Sequence, residues 1–196
     1  MKKGLIVLLS IVGVVVLVGL WLAGAYNGLV KMDEGVKQAW AQVENVYQRR
    51  LDLIPNLVET VRGYAAHEKS TFVEVTEARA KAAGTISPDV INSPEKFKAF
   101  QESQTALSSA LSRLLVVVEK YPELKANQNF LELQAQLEGT ENRIAVERER
   151  FNKAAQIFNT IYRQFPTNVI AAMFGFKSKE YFKSEAGASK APKVQF

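Results

Sequence analysis

Side chains that commonly do chemistry are sparse in this sequence. It contains no cysteine, which excludes disulfides, thiolate nucleophiles and thiolate metal ligands. The only histidine is His67. A di-iron carboxylate bundle needs two Glu-x-x-His motifs, and Tyr64 stands three positions before His67. A histidine-based zinc site or a Ser-His-Asp triad would need partners that His67 lacks. We therefore expect His67 on a helix surface and predict no catalytic residue, no metal and no cofactor.

Two groups of polar residues interrupt apolar helical patterns and are candidates for interaction. In the first, Arg49 and Arg50 precede Pro55 and Asn56. A proline inside a helix leaves the carbonyl four residues before it without a donor, and Asn56 or an arginine could supply one. The second group consists of Arg150, Asn152 and Asn159. Buried polar groups at such positions would set the register of packed helices. The alternative is that Arg49, Asn56, Arg150 and Asn152 line a groove for a partner.

A third candidate is the apolar segment 169–176, which includes Phe174 and Phe176. It is more apolar than a free C-terminal segment should be, because exposed apolar patches of this size usually mark an interface. We expect it to dock on the rest of the protein, on a neighbouring subunit or on a membrane.

The N-terminal region predicts a membrane anchor over residues 4–25, after a short tail of residues 1–3. Residues 4–30 carry no charge, and about 20 apolar residues suffice to cross a bilayer. Trp21 and Tyr26 lie where interfacial aromatics anchor a span, and the anchor residues include Leu5, Val16 and Leu20. A cleaved signal peptide is the competing interpretation, since residues 23–25 read Ala-Gly-Ala. The apolar stretch exceeds the roughly 7–15 residues usual for a signal peptide, which favours an uncleaved anchor.

The charge distribution bears on orientation and on partners. Of the net charge of +5, Lys2 and Lys3 supply two units, and the last twenty residues, with five lysines and two glutamates, supply three. The remaining body is neutral, which is unlike a nucleic-acid-binding domain. Lys2 and Lys3 favour a cytoplasmic N-terminus, although Lys31 and Lys37 weaken that bias. We expect a single-pass protein of the bacterial inner (cytoplasmic) membrane, with its helical domain on the periplasmic or extracytoplasmic side.

The rest of the chain predicts an all-α fold. Apolar residues recur at steps of three and four over 36–83, 97–121 and 124–165, which is the helical spacing. Pro55 predicts a kink or a fresh first turn within the first of these helical regions. The residues that precede this region predict a helix that continues out of the membrane. Ser93 is a predicted N-cap with Pro94 at the first helical position. The expected architecture is a transmembrane helix followed by an elongated antiparallel bundle of long helices over 26–182, with a polar basic tail over 183–196.

Several motifs resemble the LemA family, and together they cover nearly all of residues 26–182. They are Tyr26-Asn27-Gly28-Leu29-Val30, Ala39-Trp40, the run from Tyr47 to Val61, Gly63-Tyr64-Ala65-x-His67-Glu68, Ala78-Arg79, Arg150-Phe151-Asn152-x-x-Ala155, Phe158-Asn159, Phe165-Pro166-Thr167-Asn168 and Phe174-Gly175-Phe176. The resemblance implies a bacterial, helical, membrane-anchored protein without an established biochemical activity. One branch of that family belongs to magnetosome membrane formation, and other members are encoded beside a membrane metallopeptidase. Some members carry a lipoprotein cysteine, but Ala25 stands in its place here.

These observations predict a non-catalytic scaffold that self-associates and organises or remodels the membrane. The alternative is an adaptor or stress-signalling module for another membrane protein such as a metallopeptidase. The expected partners are therefore the membrane, further copies of the chain and possibly a second membrane protein, with no nucleic acid.

Overall fold

The computed structural model describes residues 2–183, and this part of the chain is all-α, as predicted. The α-helices are α1 (Lys2–Arg62), α2 (Lys69–Gly84), α3 (Pro94–Val118), α4 (Pro122–Lys125), α5 (Gln128–Arg163) and α6 (Thr167–Met173), with a 3-10 helix at Pro88–Asn92. The predicted basic tail lies outside the described residues from position 184 onward.

Helix α1 runs without interruption from the apolar N-terminus into the bundle. Its 61 residues span roughly 90 Å at about 1.5 Å per residue. The prediction that the helix of the apolar N-terminal segment continues into the bundle is confirmed. Pro55 lies inside α1, so of the two predicted alternatives, a kink or a fresh first turn, the fresh first turn is excluded. The carbonyl oxygen of Leu51, four residues earlier, accepts instead from Nε of Arg79 in α2, at 2.8 Å. An arginine therefore donates to the carbonyl that Pro55 leaves without a donor, but this arginine lies on α2, whereas the expected donor lay on the same helix as Pro55.

The predicted helix over 36–83 is two helices. Residues 63–68 form a turn in which the amides of Gly63 and Ala65 bond back to the carbonyls of Glu59 and Val61. Ala65 is buried, so the turn packs against the core and sends α2 back along the bundle. The predicted third helix divides in the same way, because Asn127 caps α5 by accepting from the amide of Phe130 at 3.1 Å. The bundle consequently has four main helices, α1, α2, α3 and α5, rather than three.

Helix α3 follows the prediction closely. Ser93 is its N-cap and accepts from the amide of Lys96 at 3.3 Å, with Pro94 as the first helical residue. The apolar heptad lies on the buried face, and its fully buried members are Phe97, Phe100, Gln104, Leu107, Leu114 and Val118.

The main helices form two antiparallel pairs, α1 with α5 and α2 with α3. Their core divides along the long axis. The cluster nearer the apolar N-terminal segment, called here the proximal cluster, is rich in aromatic rings and includes Trp40, Phe97, Phe100, Phe151 and Phe158. The distal cluster is mainly aliphatic and includes Leu51, Leu57, Val75, Leu107 and Leu114. Burial of each such large side chain contributes about 1.5–3 kcal/mol to folding. Apolar burial therefore stabilises both halves of the bundle.

Candidate functional site

The last described segment, residues 177–183, is an extended strap that lies along α5. Asn159 donates from Nδ2 to the carbonyl of Lys179 and accepts from the amide of Lys179, both at 2.8 Å. Asn152 makes the same pair of bonds with the backbone of Phe182, both at 2.9 Å. The two asparagines are seven residues apart, which places them on one face of α5. Each side-chain amide therefore satisfies backbone groups that an extended segment would otherwise leave unpaired.

Lys179 fastens the strap to the start of the bundle. Its side chain is 3% exposed, and its Nζ lies 2.8 Å from Oδ1 of Asp33 and 2.8 Å from Oδ1 of Asn92. Burial raises the pKa of Asp33, but hydrogen bonds and charge from Lys179 and Lys37 outweigh that effect and bring the pKa below its ordinary value. The strap, α1 and the 3-10 helix are thereby joined through one ammonium group.

Phe182 completes the proximal cluster from the strap. Its ring centroid lies 5.0 Å from that of Phe97 and 5.6 Å from that of Phe151. The guanidinium of Arg148 covers it at 4.6 Å, a distance at which cation–π attraction contributes. The strap is thus an integral part of the folded core.

Arg50 forms a buried polar centre between α1, α3 and α5. Its side chain is 2% exposed, and its Nη1 lies 2.7 Å from Oε1 of Glu141 on α5. Its Nη2 donates to the side-chain oxygen of Gln104 on α3. A cavity of about 190 Å³ opens beside it, and Tyr47 and Arg148 also line that cavity. Arg50 is buried whereas the Glu141 side chain is 48% exposed. Leaving a buried charge such as that of Arg50 without its partners is costly, so we interpret Arg50 as a register-setting residue of the bundle.

The other sequence candidates do not converge on one groove. Arg49 and Asn56 are exposed on α1, and Arg150 is exposed and paired with Glu147 on its own helix at 2.8 Å. Asn152 is engaged by the strap. None of these four residues lines the cavity beside Arg50. His67 is exposed, as expected, but it lies in the turn over 63–68 and not on a helix.

The apolar segment 169–176 docks on the bundle by one face. Ile170 and Ala171 of α6 are buried in the proximal cluster, and Phe176 is half-buried against Phe158. The ring of Phe174 lies 4.6 Å from Tyr26 on α1. The opposite face of α6 stays uncovered, since Val169 and Met173 are exposed.

The predicted anchor residues lie on the free N-terminal part of α1. Leu5, Val16, Leu20 and Trp21 are exposed, and Tyr26 is half-buried where the bundle begins. Within residues 2–183, α1 is the one helix that is long and apolar enough to cross a membrane.

Comparison with known proteins agrees with this architecture. The model of the LemA family matches residues 39–196. The chain belongs to the LemA family. It is 29% identical to magnetosome protein MamQ 2 of Paramagnetospirillum magneticum, over 92% of this chain and 72% of that protein. It is 29% identical to magnetosome protein MamQ of Magnetospirillum gryphiswaldense, over 80% of this chain and 64% of that protein. It is 25% identical to protein LemA of Metamycoplasma hominis, over 76% and 64% of the two chains. The family, its relatives and the apolar helix together indicate a membrane-associated helical protein.

Several residues that organise the site have no signal in the sequence. Asp33, Glu141 and Lys179 look like ordinary charged residues of helices or a tail, and the motif that contains Arg79 does not reveal its partner. Each of the four bonds to a group 28 or more positions away. Phe182 stands next to a polar tail, where nothing in the spacing predicts burial. Only contact between distant segments reveals these roles.

Proposed function

We propose that this protein is a membrane-anchored, non-catalytic scaffold that self-associates and organises or remodels the bacterial membrane. The observation that carries the proposal is the continuity of α1, which extends from the apolar N-terminus to the far end of the bundle. Because α1 is continuous and has no flexible joint, a movement of the bundle also moves the span, and a movement of the span also moves the bundle. That coupling suits a protein whose output is mechanical or organisational.

Two further facts support this proposal. The matching relatives are named as magnetosome proteins or simply as LemA, and neither name denotes an enzyme. Among the candidate side chains, Asn152 and Asn159 hold the strap, and Arg50 joins helices of the bundle.

The test is reconstitution of the full-length protein into vesicles of phosphatidylcholine and phosphatidylglycerol, imaged in vitreous ice. The proposal predicts protein clusters that coincide with altered membrane curvature or with regular membrane spacing, in proportion to protein density. Protein-free vesicles and vesicles of low protein density are the controls. Single, dispersed bundles on unperturbed vesicles at every density would contradict the proposal.

We further propose that the bundle lies on the extracytoplasmic side, on the strength of Lys2 and Lys3 before the span. The chain lacks cysteine, so a Val73→Cys variant carries a single reactive thiol, at an exposed position near the far end of the bundle. A membrane-impermeant maleimide should label this thiol in intact spheroplasts. Labelling that requires lysis would place the bundle in the cytoplasm.

An adaptor for another membrane protein is the second candidate. The observation that favours it is the exposure of Arg49 on α1 and of Arg150 on α5, which leaves both guanidinium groups accessible. A double variant, Arg49→Glu with Arg150→Glu, should lose a partner that is crosslinked in cells, while its helical content stays unchanged. The matched control is Arg143→Glu, which reverses the charge of another exposed arginine on α5. Undiminished crosslinking in the double variant would exclude a role for these two arginines.

A further inference from the structure

The end of the bundle next to the span carries an uncovered apolar surface on α6 and the turn before it. The side chains are 83% exposed at Phe165, 71% at Met173, 58% at Phe174 and 51% at Val169. Val169 and Met173 are four residues apart and so share one side of α6, whereas Ile170 and Ala171 on the other side are buried. Large apolar side chains exposed in one region of a protein usually mark a contact surface.

Contacts with α1 fix the position of this surface relative to the span. Phe174 and Phe176 both contact the ring of Tyr26, with centroids 4.6 Å and 6.0 Å away. Tyr26 directly follows the apolar segment, whose residues 3–24 are all exposed. Leu29, only three residues later, is fully buried in the bundle. Helix α6 therefore lies beside α1 at the level where the span ends.

The end of α5 lies at the same level. Asn159 is bonded to Lys179, whose ammonium reaches Asp33 on α1. Helix α5 runs antiparallel to α1, and its last residue, Arg163, follows Asn159 by four positions. At about 1.5 Å per residue, Arg163 lies about 6 Å closer to the span than Asn159 does. Phe165 follows in the turn, so it also belongs to the end of the bundle that adjoins the membrane.

We propose that this surface, formed by Phe165, Val169, Met173 and Phe174, is a second membrane contact that inserts into the interfacial region of the bilayer that α1 crosses. A bilayer is the one surface that the span necessarily brings to this end of the bundle. Apolar and aromatic side chains are stabilised at the boundary between headgroups and acyl chains.

The charges around the surface suit the same occupant. Lys31 on α1, Arg163 on α5 and Lys177 after α6 are exposed, and long basic side chains can place their charges among anionic headgroups while their stems cover apolar surface. The nearest acid on α1, Asp33, is already bonded to Lys179 and Lys37. The contact attaches the bundle at two points, the span and α6, and so fixes its rotation about the span axis.

The test uses single-cysteine variants, which the cysteine-free sequence allows. A nitroxide label at Met173→Cys in the full-length protein, in vesicles of phosphatidylcholine and phosphatidylglycerol, should be several-fold more accessible to dissolved oxygen than to a water-soluble nickel chelate. The matched control is Val73→Cys, an exposed apolar position at the far end of the bundle, where the preference should be reversed. Val169→Cys should behave like Met173→Cys. The proposal is overturned if the nickel chelate reaches the labels at both α6 positions as readily as it reaches the label at position 73.

Two further measurements separate this inference from neighbouring ones. A label at Val16→Cys reports the span itself, on which the inference depends. Oxygen accessibility there without oxygen accessibility at position 173 would overturn the α6 contact and leave the anchor intact, whereas loss at both positions would overturn both. The label at position 173 could be protected from the nickel chelate at high protein density and lose that protection when the protein is diluted in lipid. This result would show that a second copy covers α6, and it would also overturn the proposal. Self-association is not required, so the scaffold proposal and this one fail independently.

Discussion

At the scale of single residues, the buried pair of Lys179 and Asp33 is the main electrostatic contact of the strap. The Lys179 ammonium is almost completely buried and bonds to two acceptors, Asp33 and Asn92. A buried charge with satisfied hydrogen bonds is tolerated, but the same charge without its partner is expensive. The stability of the strap should therefore depend on the ionisation of Asp33.

The sign of that dependence follows from the lowered pKa of Asp33 in the folded protein. The stabilisation is complete above the unfolded-state pKa of about 3.9 and is lost as the pH falls through the lower, folded-state pKa. We predict that Asp33→Asn lowers the thermal unfolding temperature at neutral pH, and that its difference from wild type shrinks below about pH 4. Circular dichroism of the detergent-solubilised protein measures both.

The control for this prediction is Asp89→Asn. Asp89 is exposed and lies 3.7 Å from Lys96, a surface pair of the kind that contributes little. Its unfolding temperature should stay close to that of wild type across the same pH range. A deficit in Asp33→Asn that does not change with pH would show that the Asp33 contribution is not electrostatic.

At the scale of elements, α1 tolerates a proline because α2 compensates for it. Pro55 cannot donate to the carbonyl of Leu51, and Arg79 donates to that oxygen from the neighbouring helix at 2.8 Å. The two residues belong to different helices but depend on each other through one carbonyl group. This dependence makes the interaction measurable as a coupling free energy.

We predict that Arg79→Met lowers the free energy of unfolding by about 1–3 kcal/mol, because it leaves the Leu51 carbonyl without a donor. In a Pro55→Ala background the same substitution should cost about 1 kcal/mol less, since the amide at position 55 can then donate to Leu51. Chemical denaturation of the four proteins of this cycle gives the coupling. Equal costs in both backgrounds would mean that Arg79 acts through other contacts.

The elements also show which parts of the fold the sequence could predict. Helix α3 can be predicted from the sequence because its N-cap, the proline at its first position and its apolar heptad are all local signals. The turn over 63–68 was missed because Val61, Ala65 and Phe72 continue the apolar pattern across it. Gly63 and the absence of a large apolar residue between Ala65 and Phe72 were the available signals. The strap could not be predicted, because an extended segment held by Asn152 and Asn159 has no periodicity, although both asparagines stood out on α5.

At the scale of the whole molecule, one helix connects the apolar N-terminal segment to both halves of the core. Helix α1 contributes Tyr26 beside α6, Trp40 to the proximal cluster and Leu57 to the distal cluster. The strap closes the proximal half, with Phe182 buried in it. Deleting residues 169–182 would consequently remove part of the core, so point substitutions on exposed surfaces are the better way to examine assembly.

The proposed scaffold function requires that the bundle self-associates. The most direct measurement is the mass of the full-length protein extracted in mild detergent, determined over a range of protein concentrations and followed by particle imaging. We expect a uniform particle that contains several chains and persists on dilution. A particle that contains one chain at every concentration would contradict self-association and would favour the adaptor.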